Sequence, residues 1–203
     1  IDVTGPFDAK GPGDTPSRRA IYICRPGSTT AQPGCARRII AALARRAYRR
    51  PVTDTDLMPL LAIYATERRQ SDFEHGVEAA VEAILVSPEF LFQIERDPAG
   101  SAPGSVHRIT DLELASRLAL FLWSSIPDET LLRLGERGEL SKPAILDVQI
   151  ARMLADPRAQ ALTRNFAGQW LYLRNLDQQR PDLTVYPEYD QRLRAAMARE
   201  TEM

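Results

Sequence analysis

Lysine, histidine and cysteine are all scarce in this sequence of 203 residues, and no long apolar run occurs in it. Because a membrane-spanning helix needs about 20 consecutive apolar residues, we expect no transmembrane segment. The formal net charge of −1 provides no overall field that would attract nucleic acid or an anionic membrane. An apolar fraction of 44% and a charged fraction of 26% are those of an ordinary globular protein with a packed core.

Both ends of the sequence suggest a piece of a longer chain. The sequence begins at Ile1 instead of a methionine, and it reaches Met203 without a stop signal for its last helix. No signal peptide is visible, so we expect any targeting segment to lie upstream.

Arginine replaces lysine almost completely: only Lys10 and Lys142 are lysines among the 26 cationic residues. Such a bias fits genomic base composition better than phosphate recognition. Several arginines crowd one predicted helix and its exit, at Arg37, Arg38, Arg45, Arg46, Arg49 and Arg50. The balancing acids and the lack of interleaved aromatic residues favour a solvated face, so we expect no nucleic-acid partner.

The two histidines, His75 and His107, are too few to form a metalloenzyme site by themselves. No HExxH spacing, GxSxG, Walker or GxGxxG pattern occurs. We therefore predict no catalytic, cofactor-binding or metal-binding residues in this segment, and whether the whole protein is an enzyme stays open.

The two cysteines, Cys24 and Cys35, bracket a loop rich in Pro, Gly and Thr. Their spacing is neither CxxC nor CxxCH, which argues against a redox motif and against haem attachment. Two readings remain on spacing alone: a disulfide that closes the loop, and two reduced, unlinked thiols.

Apolar residues recur at helical spacing from Cys35 onward, which predicts an all-α fold of about nine helices. The short runs Ile1–Thr4 and Ala20–Cys24 are predicted to be extended. We expect four regions: an extended junction at 1–34 that ends a preceding β module, a helical domain at 35–97, a linker at 98–108, and a second helical domain at 109–203 that is truncated at its C-terminus.

Capping residues mark the helix starts. Capping side chains are predicted at Thr53, Asp72, Ser87, Thr110 and Ser141, and further helices are predicted to start at Pro127–Glu129 and at Asp156–Pro157. Thr110 and Glu113 have the spacing of a capping box. Pro59 predicts a kink or a later start in the helix that follows Thr53.

The stretch around Trp170 is unusual because Gly168 lies within a predicted helix, where glycine costs about 1 kcal/mol relative to alanine. Close helix packing or a ligand would explain the glycine, and packing is the commoner reason. We predict that Trp123 and Trp170 both lie in the core.

Several stretches together carry a family resemblance: GPGDTPSRR at 11–19, IYICRP at 21–26, LARRAYRRPVT at 43–53, LVSPEFLF at 85–92, ELASRL at 113–118, FLWSSIPD at 121–128 and NFAGQWL at 165–171. They resemble the large cytochrome c-linked multidomain proteins of planctomycete type, which contain adjacent helical domains without an assigned role. The resemblance spans essentially the whole chain.

The resemblance implies export to the periplasm or cell envelope, a compartment where disulfides persist, and so favours a Cys24–Cys35 bridge. It also implies a preceding β-sandwich that ends near Thr4, and a c-type haem elsewhere in the parent protein. No haem motif lies in these residues.

The sequence thus predicts a helical scaffold or interaction module whose partners are other domains of the same parent protein. The alternative is part of a c-type-haem-linked oxidoreductase or electron-transfer protein. A weaker third reading, a polysaccharide-processing protein, depends only on the neighbouring module of the family.

Overall fold

The computed structural model describes residues 13–202 except Arg96, Ala99 and Pro103, and it leaves the side chains of Arg174, Thr201 and Glu202 undescribed. The chain is 67% helical and contains no strand in this described part, which confirms the all-α prediction. The strand predicted at Ile1–Thr4 lies outside the described residues. None of the described helices is long and apolar enough to cross a bilayer.

The α-helices are α1 (Pro16–Ile21), α2 (Gln32–Tyr48), α3 (Asp54–Gln70), α4 (Phe73–Leu85), α5 (Pro88–Leu91), α6 (Asp111–Trp123), α7 (Glu129–Glu136), α8 (Pro143–Ala155), α9 (Gln160–Leu162), α10 (Gly168–Trp170) and α11 (Gln191–Glu202). They form two compact units, Ile1–Ile94 and Glu95–Met203, here called the first and the second unit.

The extended conformation predicted for Ala20–Cys24 is wrong at its start, because both Ala20 and Ile21 lie in α1. The Thr15 side chain accepts a hydrogen bond from the amide of Arg18 at 3.1 Å, and Pro16 occupies the first helical position. Proline is favoured there because its fixed φ already suits a helix. A local cap therefore outweighs the strand-like composition of this short run.

The first unit is built from α2, α3 and α4 around one apolar core. Its buried side chains are Cys35, Ala36, Ile39, Ile40, Ala44, Ala47, Tyr48, Leu57, Leu60, Tyr64, Val77, Ala80 and Ile84. Thr53 and Asp72 cap α3 and α4 as predicted. Pro59 lies inside α3 and the helix still begins at Asp54, so the suggestion of a later start is wrong.

Arg49 connects the end of α2 to α5. It adopts a left-handed conformation with φ of 58°, which ends α2 before Pro51 as predicted. Its guanidinium donates to the carbonyl oxygens of Glu89 at 2.8 Å and Phe92 at 2.7 Å, and also to those of Ala47 and Phe90. Burial lowers the pKa of Arg49.

The second unit packs α6, α7 and α8 around Trp123, Leu131, Leu140 and Met153. The predicted capping box is confirmed, since Glu113 accepts from the Thr110 amide at 2.7 Å while Thr110 accepts in return.

Two predicted caps differ from the expectation. Ser87 is the N-cap residue of α5 as predicted, but its hydroxyl donates back to the Ile84 carbonyl oxygen instead of accepting from α5. Ser141 does not cap α8, because the N-cap residue of that helix is Lys142. The Ser141 amide instead donates a hydrogen bond to the Asp111 carboxylate at 3.1 Å.

Beyond Asp156 the second unit becomes irregular. A 3-10 turn at Pro157–Ala159 leads into α9, then a π-helix covers Thr163–Ala167, and α10 follows. Leu173–Gln178 forms a further 3-10 helix.

Candidate interaction surface

The junction between α1 and α2 is covalently closed. Cys24 and Cys35 form a disulfide, with their Cα atoms 6.0 Å apart. Cys35 is buried in the core of the first unit, and Ile21 and Tyr22 pack against that core. The bridge therefore holds the segment that follows α1 against the first turn of α2.

Each histidine lies beside a carboxylate. His75, in the first turn of α4, lies 2.9 Å from the Asp72 carboxylate, which also caps that helix. The hydrogen bond to Asp72 raises the pKa of His75. His107 lies 3.5 Å from Asp97, which it faces through Nε2. No group of three or more His, Cys, Asp or Glu side chains that could hold a metal occurs among the described residues.

Several of the arginines on α2 and just beyond its end make structural contacts that the sequence did not predict. Arg50 binds both carboxylate oxygens of Asp56, at 2.8 and 2.9 Å, and so supports the start of α3. Arg37 pairs with the exposed Asp54. With Arg49 bound to backbone carbonyls, these residues orient neighbouring segments instead of forming a free cationic patch.

Trp123 is in the core, as predicted, with only 3% of its surface exposed. Its indole N–H donates to the Met153 carbonyl oxygen at 2.9 Å. The guanidinium of Arg158 lies 3.5 Å from the centre of the indole ring, within the range of a cation–π interaction. Arg152 binds Asp128 at 2.6 Å beside it. This arrangement joins the ends of α6, α7 and α8.

Trp170 is not in the core, so that prediction is wrong: 71% of its surface is exposed. In a regular α-helix, Leu162, Phe166 and Trp170 would share one face at four-residue spacing. The π-helix at Thr163–Ala167 has a wider turn and changes the register of the residues that follow. Apolar residues thus recur at helical spacing in the sequence, but the helix is interrupted at Thr163–Ala167, and Trp170 lies at the surface.

Phe121, Phe166 and Trp170 form an exposed aromatic cluster. The ring centres of Phe121 and Phe166 are 6.0 Å apart in an edge-to-face arrangement, and those of Phe166 and Trp170 are 6.1 Å apart and stacked. Phe121 and Phe166 are 56% and 54% exposed. Large aromatic side chains held together at a surface mark interaction sites more often than isolated apolar residues do.

A hydrogen bond between two side chains connects the segment that carries Phe166 to the end of α6. The Asn165 side-chain amide donates to the Ser124 hydroxyl at 2.6 Å. Ser124 ends α6 in a left-handed conformation with φ of 49°. A methyl group placed on Gly168 would meet no atom within 4 Å outside its immediate neighbours and its own helix backbone, so close packing does not explain this glycine.

Family models match both helical regions. Residues 35–95 match PSD5, described as a protein of unknown function (DUF1595), and residues 109–203 match PSD4, described as a protein of unknown function (DUF1592). No curated protein and no solved structure matches the chain. The chain thus contains two adjacent domains of unknown function, a DUF1595 domain followed by a DUF1592 domain.

Proposed function

We propose that the chain is a helical interaction module of a large exported multidomain protein, and that the aromatic cluster is where other domains of that protein dock. The observation that carries this proposal is the exposure of three large aromatic side chains, of which Phe166 contacts both Phe121 and Trp170.

The chemistry of the aromatic cluster favours a protein partner. Trp and Phe are enriched at the centres of protein interfaces, where a few buried aromatic anchors supply most of the binding free energy. Rings that already contact one another lose little side-chain entropy on docking, because few rotamers remain to be fixed. The bond between Asn165 and Ser124 adds to this preorganisation by tying Phe166 to the end of α6.

The proposed location outside the cytoplasm is supported by the Cys24–Cys35 disulfide, since structural disulfides persist mainly in oxidising compartments. We expect mass spectrometry of acid-quenched, alkylated cells that express the full-length parent to find these cysteines as a cross-linked peptide. Two alkylated thiols in that sample would contradict export.

Docking is tested by hydroxyl-radical footprinting of this 203-residue chain beside the full-length parent protein. We expect oxidation of Phe166 and Trp170 to fall severalfold in the parent, because another domain covers them. Met58, which is 68% exposed on α3, serves as an accessible internal control in both samples. Equal oxidation of Trp170 in the two proteins would refute the docking proposal.

A second experiment separates domain docking from self-association. The isolated chain is examined by sedimentation velocity, with the double variant F166S/W170S beside the control variant M58S. A monomer at all concentrations agrees with docking of another domain. A dimer that only F166S/W170S abolishes would identify a second copy as the partner and overturn the proposal.

A further inference from the structure

A shallow groove of about 380 Å³ lies between α1 and α4 in the first unit. Its apolar lining comes from Ile21 and Tyr22 on one side and from Val77 and Val81 on the other. Val77 is fully buried, whereas Val81 and Ile21 are only partly covered by the core. The volume is at the low end for binding sites, which suits a few side chains of a partner better than a cofactor.

Glutamates follow one side of this groove on successive turns of α4. Glu74, Glu78 and Glu82 all line it. Residues four apart lie on the same helix face, so the three carboxyl groups form a row beside the apolar row of Val77 and Val81. Leu85 continues the apolar row by one more turn, and 47% of its surface is exposed.

The charge along this acidic row is not uniform. Arg18 forms an ion pair with Glu74, and its guanidinium lies 4.8 Å from the centre of the Tyr22 ring. The negative charge of Glu74 at that end of the groove is therefore neutralised by Arg18. Glu78 and Glu82 are exposed, and neither of their side-chain carboxylates makes a hydrogen bond or an ion pair with any residue that the structure describes.

Two unpaired carboxylates one turn apart repel each other, which disfavours this arrangement in the absence of a cation. The three carboxylates do not converge as metal ligands, since no such group occurs in the described residues. A partner that places cationic side chains over Glu78 and Glu82 while burying apolar side chains against Val81 would satisfy both features at once.

We propose that this acidic groove binds a basic amphipathic helix, whose arginine or lysine side chains pair with Glu78 and Glu82 while its apolar face covers Ile21, Val81 and Leu85. Amphipathic helices are recognised in this way by grooves that combine apolar floors with complementary charge at the rim. The proposal concerns the first unit alone and does not depend on docking at the aromatic cluster.

The test measures binding of two fluorescein-labelled helical peptides to the chain by fluorescence polarisation. Both peptides carry the same leucine and alanine face, and the opposite face is arginine in one and glutamate in the other. We expect saturable binding of the arginine peptide only, weakened by added salt because screening acts on the charge pairs. Saturable binding of both peptides, or of neither, would refute the groove as a basic-helix site.

The double variant E78Q/E82Q should weaken the arginine peptide about tenfold, since two partly exposed ion pairs are lost. The control variant E188Q/E200Q changes net charge equally at exposed positions of the second unit and should leave binding unchanged. Thermal unfolding verifies that both variants remain folded. Equal loss in both variants would indicate non-specific attraction, and a chain dimer abolished by E78Q/E82Q would identify a second copy as the occupant; either result overturns the proposal.

Discussion

The two units differ in how their helices bury apolar faces. The first unit uses long regular helices, α2 and α3 of 17 residues each, with fully buried alanines at Ala36, Ala44 and Ala80. The second unit has shorter helices and then an interrupted run from Pro157 to Trp170. In the second unit, aromatic side chains lie at the surface both on the regular helix α6, at Phe121, and beyond the interruption, at Trp170.

Replacement of Trp123 by alanine should have the largest effect and should unfold the second unit selectively. Truncation of a buried Trp costs about 3–5 kcal/mol, through the cavity it leaves and the loss of apolar burial. The hydrogen bond to Met153 and the contact with Arg158 are lost as well. Hydrogen exchange followed by mass spectrometry should show faster exchange in α6–α8 and little change in α2–α4.

Trp170→Ala is the matched control for this experiment. Because the Trp170 side chain is largely exposed, its removal should change the free energy of unfolding by about 0.5 kcal/mol or less. A loss for Trp170→Ala as large as that for Trp123→Ala would show that the aromatic cluster is part of the core after all.

Alanine substitutions at two glycines should have opposite signs in the two units. A Cβ at Gly76 would lie 2.8 Å from Tyr64 Cδ2 and 2.9 Å from the Tyr64 carbonyl oxygen, so α3 and α4 must separate. We expect Gly76→Ala to destabilise the first unit by about 1–3 kcal/mol. Gly168→Ala meets no such obstacle and should stabilise α10 by up to about 1 kcal/mol.

Urea unfolding of the two glycine variants, monitored by far-ultraviolet circular dichroism, gives both values. Gly76→Ala as stable as the parent chain would mean that α3 and α4 are less tightly packed than their geometry indicates. A destabilising Gly168→Ala would point to a contact at α10 that only glycine permits.

Acid should lower the free energy of unfolding of both units, because it protonates carboxylates at helix starts. This effect should be the smallest of those predicted here. The Arg158 side chain lowers the pKa of Asp156 to about 2, and the Arg50 side chain holds the pKa of Asp56 well below its usual range. An unfolded Asp has a pKa of about 3.9. The stability contributed by Asp156 is therefore complete above about pH 4 and is lost as the pH falls through about 2.

The variant Asp156→Asn isolates this contribution, because its other carboxylates titrate as in the parent chain. Urea midpoints measured between pH 6 and pH 2 should converge for the two proteins as the pH falls. Curves that stay parallel over this range would show that the bond between Arg158 and Asp156 is absent in solution.

Local signals predicted much of the fold. Thr53, Asp72 and Thr110 begin helices where the capping pattern placed them, because an N-cap is decided by atoms within three residues. The same locality explains the failure at Ser141, whose amide is bound by Asp111, 30 positions earlier in the sequence. A contact between distant residues leaves no trace in a local pattern.

The aromatic cluster was only half visible in the sequence. The run NFAGQWL carries two of its three rings, Phe166 and Trp170, and its unusual glycine, but helical periodicity assigns Trp170 to the core. A π-helix depends on which carbonyl each amide reaches, and here the tie from Asn165 to Ser124 helps to hold it. That tie joins positions 41 residues apart and depends on how α6 ends, which periodicity does not reveal.

The attachments at the two ends of α2 affect how the chain would respond to mechanical tension. A covalent bond attaches the preceding segment near its first turn, at Cys35, and the Arg49 side chain attaches the outgoing segment at its last. Part of a pull applied to both flanks of the first unit would therefore pass along the axis of α2. The α3–α4 hairpin would carry correspondingly less of the load until the Arg49 bonds gave way.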